Sequence, residues 1–344
     1  MHPVGGGRRV TITDVARHAG VSTSAVSKVL RNAYGVSDGM RERVRDAMDA
    51  LDYRPHAAAR GMRGRTYTIG VLLDNLRNAF FADILDGVNE RLRPTDYQML
   101  LGAAGFGAED QLRLARAMVD RQMDGLILIG PGFSRAEVIG AAATVPTVVI
   151  GHHDTADAYD SVVDADAEGA GLVVDHLVAL GHRRIALTSA HGNDSAGWSG
   201  TPERVQRRGY REAMRRHGLE ECARVATTAY SEEGGYQAGM ELLAGPGRPT
   251  AVFAGADVAA MGVFRAAREL GLRIPEDVSL AGYNNTAVAA MAPVRLTSVD
   301  QAGGLMGSTA ARLLLERIEG RTRAVLMSVS PSLVVRGTTG PVPG

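Results

Sequence analysis

Residues 11–31 constrain the fold more tightly than any other stretch of the chain. They read Thr-Ile-Thr-Asp-Val-Ala-Arg-His-Ala-Gly-Val-Ser-Thr-Ser-Ala-Val-Ser-Lys-Val-Leu-Arg. Ile12, Val15, Ala16 and Ala19 recur at helical spacing on one face. Gly20 stops that helix, because glycine enters the left-handed conformation of a tight turn without a Cβ penalty. Ser22 is placed to cap a second helix by accepting a backbone N–H. On that helix Val26, Val29 and Leu30 face inward, and Thr23, Ser24, Ser27 and Lys28 are left outside. Two short helices about a tight turn, the second with a small polar outer face, make a helix-turn-helix sized for the major groove of DNA. A small helical bundle with no DNA role is the competing reading, and that polar face weighs against it.

A third helix follows, with Ser37 as its cap and Val44, Met48 and Leu51 as its apolar stripe. Residues 53–62 then read Tyr-Arg-Pro-His-Ala-Ala-Ala-Arg-Gly-Met. Pro55 suits a first helical turn. A helix of about eight residues does not hold alone, so this segment needs a partner to order it; a plain linker is the alternative. Residues 1–65 hold twelve Lys+Arg against six Asp+Glu, whereas the 344-residue chain has 38 of each. A basic head thus precedes an acidic body, and its natural partner is a polyanion. Lys28 is the only lysine in the chain.

The strings Thr13-Asp14-Val15-Ala16, Ala19-Gly20-Val21-Ser22, Val26-Ser27-Lys28-Val29-Leu30, Val36-Ser37 and Leu51-Asp52-Tyr53-Arg54-Pro55 resemble the headpiece and hinge of the lactose-repressor (LacI/GalR) family. The resemblance implies a headpiece over 10–54 and a hinge over 55–65. It puts Thr11 and Ser22 against phosphates, and Thr23, Ser24 and Lys28 on base edges with Ser27 beside them. It puts His56, Ala59 and Met62 in the minor groove once two hinges pair. There Met62 replaces the leucine that wedges a base step in the family. His56 stands where asparagine is usual, and Lys28 where arginine is. Arginine meets guanine as a planar fork and lysine as a mobile point charge, so no relative's recognition code transfers directly.

Beyond residue 66 the chain alternates strand and helix. β-rich runs lie at 68–73, 97–101, 125–129, 146–150, 184–188, 224–228, 250–253 and 278–282. A helical stretch over 169–180 carries Leu172, Val173, His176, Leu177 and Leu180 on one face and stops at Gly181. Continuous apolar strands alternating with helices predict an α/β fold with parallel sheets covered on both faces and ligands at the carboxyl ends of strands.

The strings Asn78-Ala79-Phe80-Phe81, Leu180-Gly181-His182-Arg183-Arg184-Ile185, Gly271-Leu272-Arg273-Ile274-Pro275-Glu276-Asp277-Val278 and Leu296-Thr297-Ser298-Val299 extend the resemblance over the body. It implies a two-lobed, periplasmic-binding-protein-like sensor domain over 66–340 with three crossings. Lobe one is expected at about 67–165 and 297–323, and lobe two at about 166–296 and 324–338. The implied effector residues are Asn78, Phe80, Phe81, Arg204, Gln206, Tyr230, Asp257, Asn284 and Gln301. Core packing is the competing role for Phe80 and Phe81. Gln206 replaces an arginine common in the family, Ala256-Asp257 an Asn-Asp pair, and Asn284 an aspartate. Fewer charge-assisted hydrogen bonds are then available to vicinal hydroxyls. A carbohydrate is the family expectation; a less hydroxylated metabolite, or a ligand-insensitive regulator, is the alternative. The chain stops soon after its last strand without a heptad tail, which suggests a homodimer.

The remaining features exclude more than they assign. No run reaches the roughly 20 apolar residues of a membrane span, and no apolar core follows Arg8-Arg9, so the expected location is cytoplasmic, at the nucleoid, with no membrane partner. Cys222 is the only cysteine; it forms no intrachain disulfide and reads as a packed thiol. No nucleophile elbow, P-loop or His-Glu-x-x-His is present, so neither an enzyme nor a cofactor is expected. His152-His153-Asp154, near Asp157, reads as a solvated loop rather than a metal site. Trp198, with Asp194 and Ser195, lies in a Gly/Ser-rich loop that could be a lid. Residues 1–65 therefore predict a DNA-binding regulator, probed by double-stranded operator DNA and a small-molecule effector; a solute-binding protein without a DNA role is the rival.

Overall fold

The computed structural model describes residues 10–30, 33–53, 65–190 and 197–343. The chain divides into two compact units, 1–66 and 67–344. His56, Ala59 and Met62, together with Asp194 and Ser195, lie outside the described residues.

In the first unit, helices α1 (Ile12–Ala19), α2 (Thr23–Leu30) and α3 (Asp38–Ala50) surround one core. Val15, Ala16, Ala19, Val26, Val44 and Ala47 are buried there, with Met48 and Leu51 packed against them. Gly20 adopts φ +65° and closes α1. Ser22 Oγ accepts the Ala25 N–H at 3.1 Å and caps α2. Ser37 stands at the start of α3, but its hydroxyl accepts no capping N–H, unlike the expectation; its backbone carbonyl takes the Met40 and Arg41 N–H groups instead.

The second unit contains two six-stranded sheets. The first is built from β1 (Thr68–Leu73), β2 (Gln98–Ala103), β3 (Gly125–Ile129), β4 (Thr147–Ile150), β5 (Asp160–Asp164) and β11 (Leu326–Val329), in the order β11-β5-β4-β3-β1-β2. The second is built from β6 (Ile185–Ala190), β7 (Arg224–Thr228), β8 (Ala251–Ala254), β9 (Ser279–Tyr283), β10 (Thr297–Asp300) and β12 (Ser332–Val334), in the order β12-β10-β9-β8-β6-β7. Every pairing is parallel except that of β10 with β12.

Alternation along the strands explains the layers, because successive side chains leave opposite faces of a sheet. Ile69, Val71 and Leu73 meet α4 (Phe80–Leu92) and α12 (Gly303–Ile318) on one face. Leu72, Leu126 and Leu128 meet α5 (Ala108–Asp120) and α6 (Arg135–Ala142) on the other. In the second sheet Ile185, Leu187 and Phe253 meet α7 (Asp166–Ala179) and α8 (Pro202–Arg216). Ala186, Val252 and Ala254 meet α9 (Glu232–Leu243) and α10 (Asp257–Glu269); a short α11 (Ala287–Ala290) follows β9. Helices α4 and α12 touch backbone to backbone: a Cβ on Gly307 would sit 1.9 Å from the Ile84 carbonyl oxygen.

The chain passes between the lobes near 165, near 301 and near 330, between β5 and α7, β10 and α12, and β11 and β12. This corrects the lobe boundaries expected above. Thr297–Asp300 pairs with β9 in the second sheet, and Leu326–Val329 pairs with β5 in the first. Both segments are short and β-rich, so nothing local to them selects a sheet; the pairing partner does. Cys222 is corrected too, since its thiol is exposed rather than packed. No helix among the described residues is long and apolar enough to cross a membrane.

Candidate nucleic-acid interface and effector cleft

The head presents its polar residues as a surface. Ser22, Thr23, Ser24 and Lys28 are exposed and Ser27 is half-buried, while Val26 behind them is buried. Thr11 is exposed, and its backbone N–H and hydroxyl both donate to Asp14 Oδ2, at 2.9 and 2.7 Å. Ser22 and Ser24 share a hydrogen bond of 2.8 Å. The start of α2 is thereby a row of small hydroxyls followed one turn later by a lysine, a geometry in which a helix can seat in a groove and read base edges.

In the second unit a cleft of about 400 Å³ lies between the lobes. Asn78, Phe80 and Phe81 line it from the first lobe. Gln206, Tyr230 and Asn284 line it from the second, and Gln301 from a crossing. Phe80 also belongs to the core of the first lobe. Asn78 Oδ1 accepts the Phe80 N–H at 3.1 Å and so fixes the start of α4. The Tyr230 hydroxyl donates to Gln206 Oε1 at 3.0 Å, and Gln206 Nε2 donates to the Gly255 carbonyl at 3.2 Å. Asn284 has φ +112° and donates from Nδ2 to Gln301 Oε1 at 2.5 Å.

Two expected effector residues do not line the cleft. Asp257 is buried behind it, where Ser298 Oγ donates to its Oδ1 at 2.6 Å and the Thr286 N–H and hydroxyl donate to its Oδ2 at 2.7 and 2.9 Å. Burial pushes its carboxyl up to about 6 against those donors. Its work is to hold the loop after β9, not to meet a ligand. Arg204 turns away along α8 and donates to the Trp198 carbonyl at 3.3 Å.

Other residues take their place. Trp198 is buried, and its ring meets His152 edge-on with centroids 4.1 Å apart. The expected solvated loop at His152 is thus part of the cleft wall, and burial lowers that imidazole to about 4. His153 Nε2 lies 2.7 Å from Asp166 Oδ2, and the Tyr283 hydroxyl donates to Asp164 Oδ2 at 2.8 Å. Asp154 fastens the loop that carries Trp198: it accepts the Ser199 hydroxyl and N–H and the Gly200 N–H. The His153 N–H donates to the Gly200 carbonyl at 2.7 Å. Among the described residues, no group of three or more His, Cys, Asp or Glu could hold a metal ion.

The comparisons agree with both halves of this architecture. A family profile for bacterial regulatory proteins, lacI family, matches residues 11–56, and one for a periplasmic binding protein-like domain matches 174–339. The HTH-type transcriptional repressor PurR of Vibrio vulnificus is 32% identical over 338 residues, covering 95% of this chain and 98% of that protein. The chain belongs to the lacI family. Its PurR relative in Erwinia tasmaniensis is 34% identical over 334 residues, covering 95% of this chain and 96% of that protein. The lac repressor dimer bound to operator and the anti-inducer ONPF aligns with TM-score 0.80 at 29% identity, over 97% of this chain and all of that one. A complex of the transcriptional regulator CelR with cellobiose aligns with TM-score 0.70 at 29% identity, over 96% of this chain and all of that one. This lacI-family chain is therefore a DNA-binding transcriptional regulator with a helix-turn-helix head and a two-lobed sensor domain. The named relatives are repressors, which disfavours the solute-binding alternative.

Proposed function

We propose that this regulator is a homodimeric repressor of a pseudo-palindromic operator, acting in the cytoplasm without catalysis, and that a small molecule in the inter-lobe cleft sets its operator affinity. The observation that carries this reading is the exposed row Ser22, Thr23, Ser24 and Lys28 on a capped α2 over a buried Val26. Thr11 and Ser22 are assigned to phosphates; Thr23, Ser24, Ser27 and Lys28 to base edges. His56, Ala59 and Met62, outside the described residues, are assigned to a paired hinge in the minor groove. Leu100 and Leu101, half exposed on the edge strand β2, are suited to a contact between copies.

The effector reading rests on the cleft and on relatives: CelR is described with cellobiose, and a LacI-family regulator of Enterococcus faecium with ribose. Effector control requires different affinities for two lobe arrangements, a coupling of about 1–3 kcal/mol. The test is selection of bound DNA from a random pool by the full chain at physiological salt. Recovery of a palindrome with a defined centre supports the reading. Salt-sensitive, sequence-blind binding alone refutes it.

A further inference from the structure

The cleft's polar groups are unbalanced in a way that specifies its ligand. Asp74, Asp164, Asp166 and Glu203 all line it, and among the described residues no lysine or arginine does. Asp164, Asp166 and Glu203 line the same cleft, and burial first, then the neighbouring Asp164 and Glu203, push the Asp166 carboxyl up. Asp164 ends β5 of the first lobe, whereas Asp166 and Glu203 begin α7 and α8 of the second. The nearest cation acting on Glu203, Arg207, stands outside the cleft wall. Burial raises the carboxyls of Asp74, Asp166 and Glu203 from their ordinary values, as expected where charge is desolvated, although His153 Nε2 lies 2.7 Å from Asp166 Oδ2.

Several donors of the cleft are meanwhile bound inside the protein. The Trp198 indole N–H donates to the Phe133 carbonyl, Tyr283 to Asp164, Tyr230 to Gln206, Gln206 to Gly255 and Thr201 to Glu203. Two buried atoms of its wall are left open, and one of them, the Asn284 amide oxygen, can only accept. Asn284, only 9% exposed, lines the cleft with Oδ1 lacking any hydrogen-bond partner, and buried His152 lines it with Nδ1 likewise unpartnered. A buried polar atom left without a partner is costly, and a ligand donor would relieve that cost. Aromatic rings of Phe81, Trp198 and Tyr230 stand around the same space, and ring faces attract cations.

We propose that the effector of this regulator is a small organic amine, whose ammonium lies among Asp164, Asp166 and Glu203 and whose body packs against the rings of Trp198, Phe81 and Tyr230. This rests on the reading of the cleft as the effector site. Because the acids come from both lobes, one ammonium between them draws the lobes together. Phosphorylated or carboxylated ligands are excluded by the same charges. A neutral polyol supplies donors without the charge, and the test separates it.

The experiment titrates the full chain with matched probes and reads Trp198, the only tryptophan in the chain, by fluorescence alongside the melting temperature. One series is glucosamine, glucose and glucuronate; the other is tyramine, 4-hydroxyphenylethanol and 4-hydroxyphenylacetate. The amine is expected to bind about tenfold tighter than its neutral counterpart in at least one series, as charge-assisted bonds outweigh neutral ones. Glu203→Gln, which retains an acceptor for Thr201, is expected to shrink that preference at least threefold. Tighter binding of a neutral or anionic member, with a Trp198 response, overturns the amine proposal and leaves the cleft reading intact. Silence of Trp198 and of the melting temperature toward every probe also overturns the amine proposal. If a metabolite extract then alters operator affinity without perturbing Trp198, the cleft reading falls separately.

Discussion

The indole N–H of Trp198, in the second lobe, donates to the backbone carbonyl of Phe133, in the first, at 2.8 Å. The cleft is thus bridged by a side chain whose ring also forms its wall. With Asp154 holding Ser199 and Gly200 from the first lobe, the loop behaves as a fastener across the opening.

Loosening the fastener should show in effector affinity before it shows in folding. Asp154→Ala removes an acceptor of three donors, and hydrogen bonds to a charged group contribute about 1.5–3 kcal/mol each. Much of that is recovered by water at this half-buried site. The expected outcome is an effector Kd weaker by about 1–2 kcal/mol with operator affinity in the absence of effector retained, measured by titration and gel shift. An unchanged effector Kd would show that the loop is not part of closure.

Lys28→Ala should reduce discrimination between operator and random DNA by about 1–3 kcal/mol, the range for a lost base-edge contact. Competition binding at fixed salt measures it. If affinity for both DNAs falls equally, Lys28 contacts phosphate and not a base.

Asp160 carries a stability prediction. It is fully buried, with Arg317 and Arg321 at 2.9 and 2.5 Å and the Val325 N–H donating at 2.8 Å. Asp160→Asn leaves the mostly buried Arg317 side chain without its carboxylate and Arg321 with Glu316 alone, and should cost about 3–5 kcal/mol, read by urea unfolding at pH 7. Those arginines hold its pKa below the usual carboxylate range despite burial. A depressed acid stabilises above its unfolded pKa and loses that contribution as pH falls through the folded one, so wild type and variant should converge in strong acid.

His152 acts in a higher pH window. Its pKa is lowered from 6.5 to about 4 by burial beneath Trp198. Between those values the unfolded chain binds a proton that the folded chain refuses, so stability falls as pH drops from 6.5 towards 4. The full effect is about 3.5 kcal/mol at about 1.4 kcal/mol per pKa unit. His152→Gln should flatten that part of the profile in thermal unfolding; an identical slope would mean that the imidazole is wet in solution.

The sequence made some of this legible and hid the rest. Gly20, Ser22 and the Val26 side of α2 were readable because each follows from local chemistry: a positive φ, an N-cap, a helical period. Phe81, Tyr230, Gln206 and Asn284 were legible through resemblance; Tyr230 and Asn284 follow strand ends, where ligands of such sheets sit, whereas Phe81 and Gln206 lie near the starts of α4 and α8. Asp257 misled, because a carboxylate three residues after a strand, at the start of a helix, looks the same whether it meets a ligand or holds the Thr286 loop. Asp164 and Asp166 had a signal that was passed over: two aspartates flanking Ala165 between an apolar strand and a helix. His152 and Trp198 had none, as 46 residues separate partners that only the closed lobes bring within 4.1 Å. Thr297–Asp300 and Leu326–Val329 were assigned to exchanged lobes for the same reason, non-local pairing.

That exchange sets the order in which the protein can be completed during synthesis. By Asp300 the ribosome has delivered every strand of the second sheet except the edge strand β12, along with the four helices that cover it. The first lobe, though begun earlier, still lacks α12, which covers Ile69, Val71 and Ile127, and the edge strand β11. The lobe translated first is still without a covering helix when the second lacks only its edge strand, and until α12 arrives the part of its apolar sheet face that α4 leaves uncovered stands open. A nascent chain arrested near residue 300 would therefore carry a nearly whole second lobe beside an exposed half-built first one, which is where a holding chaperone would bind.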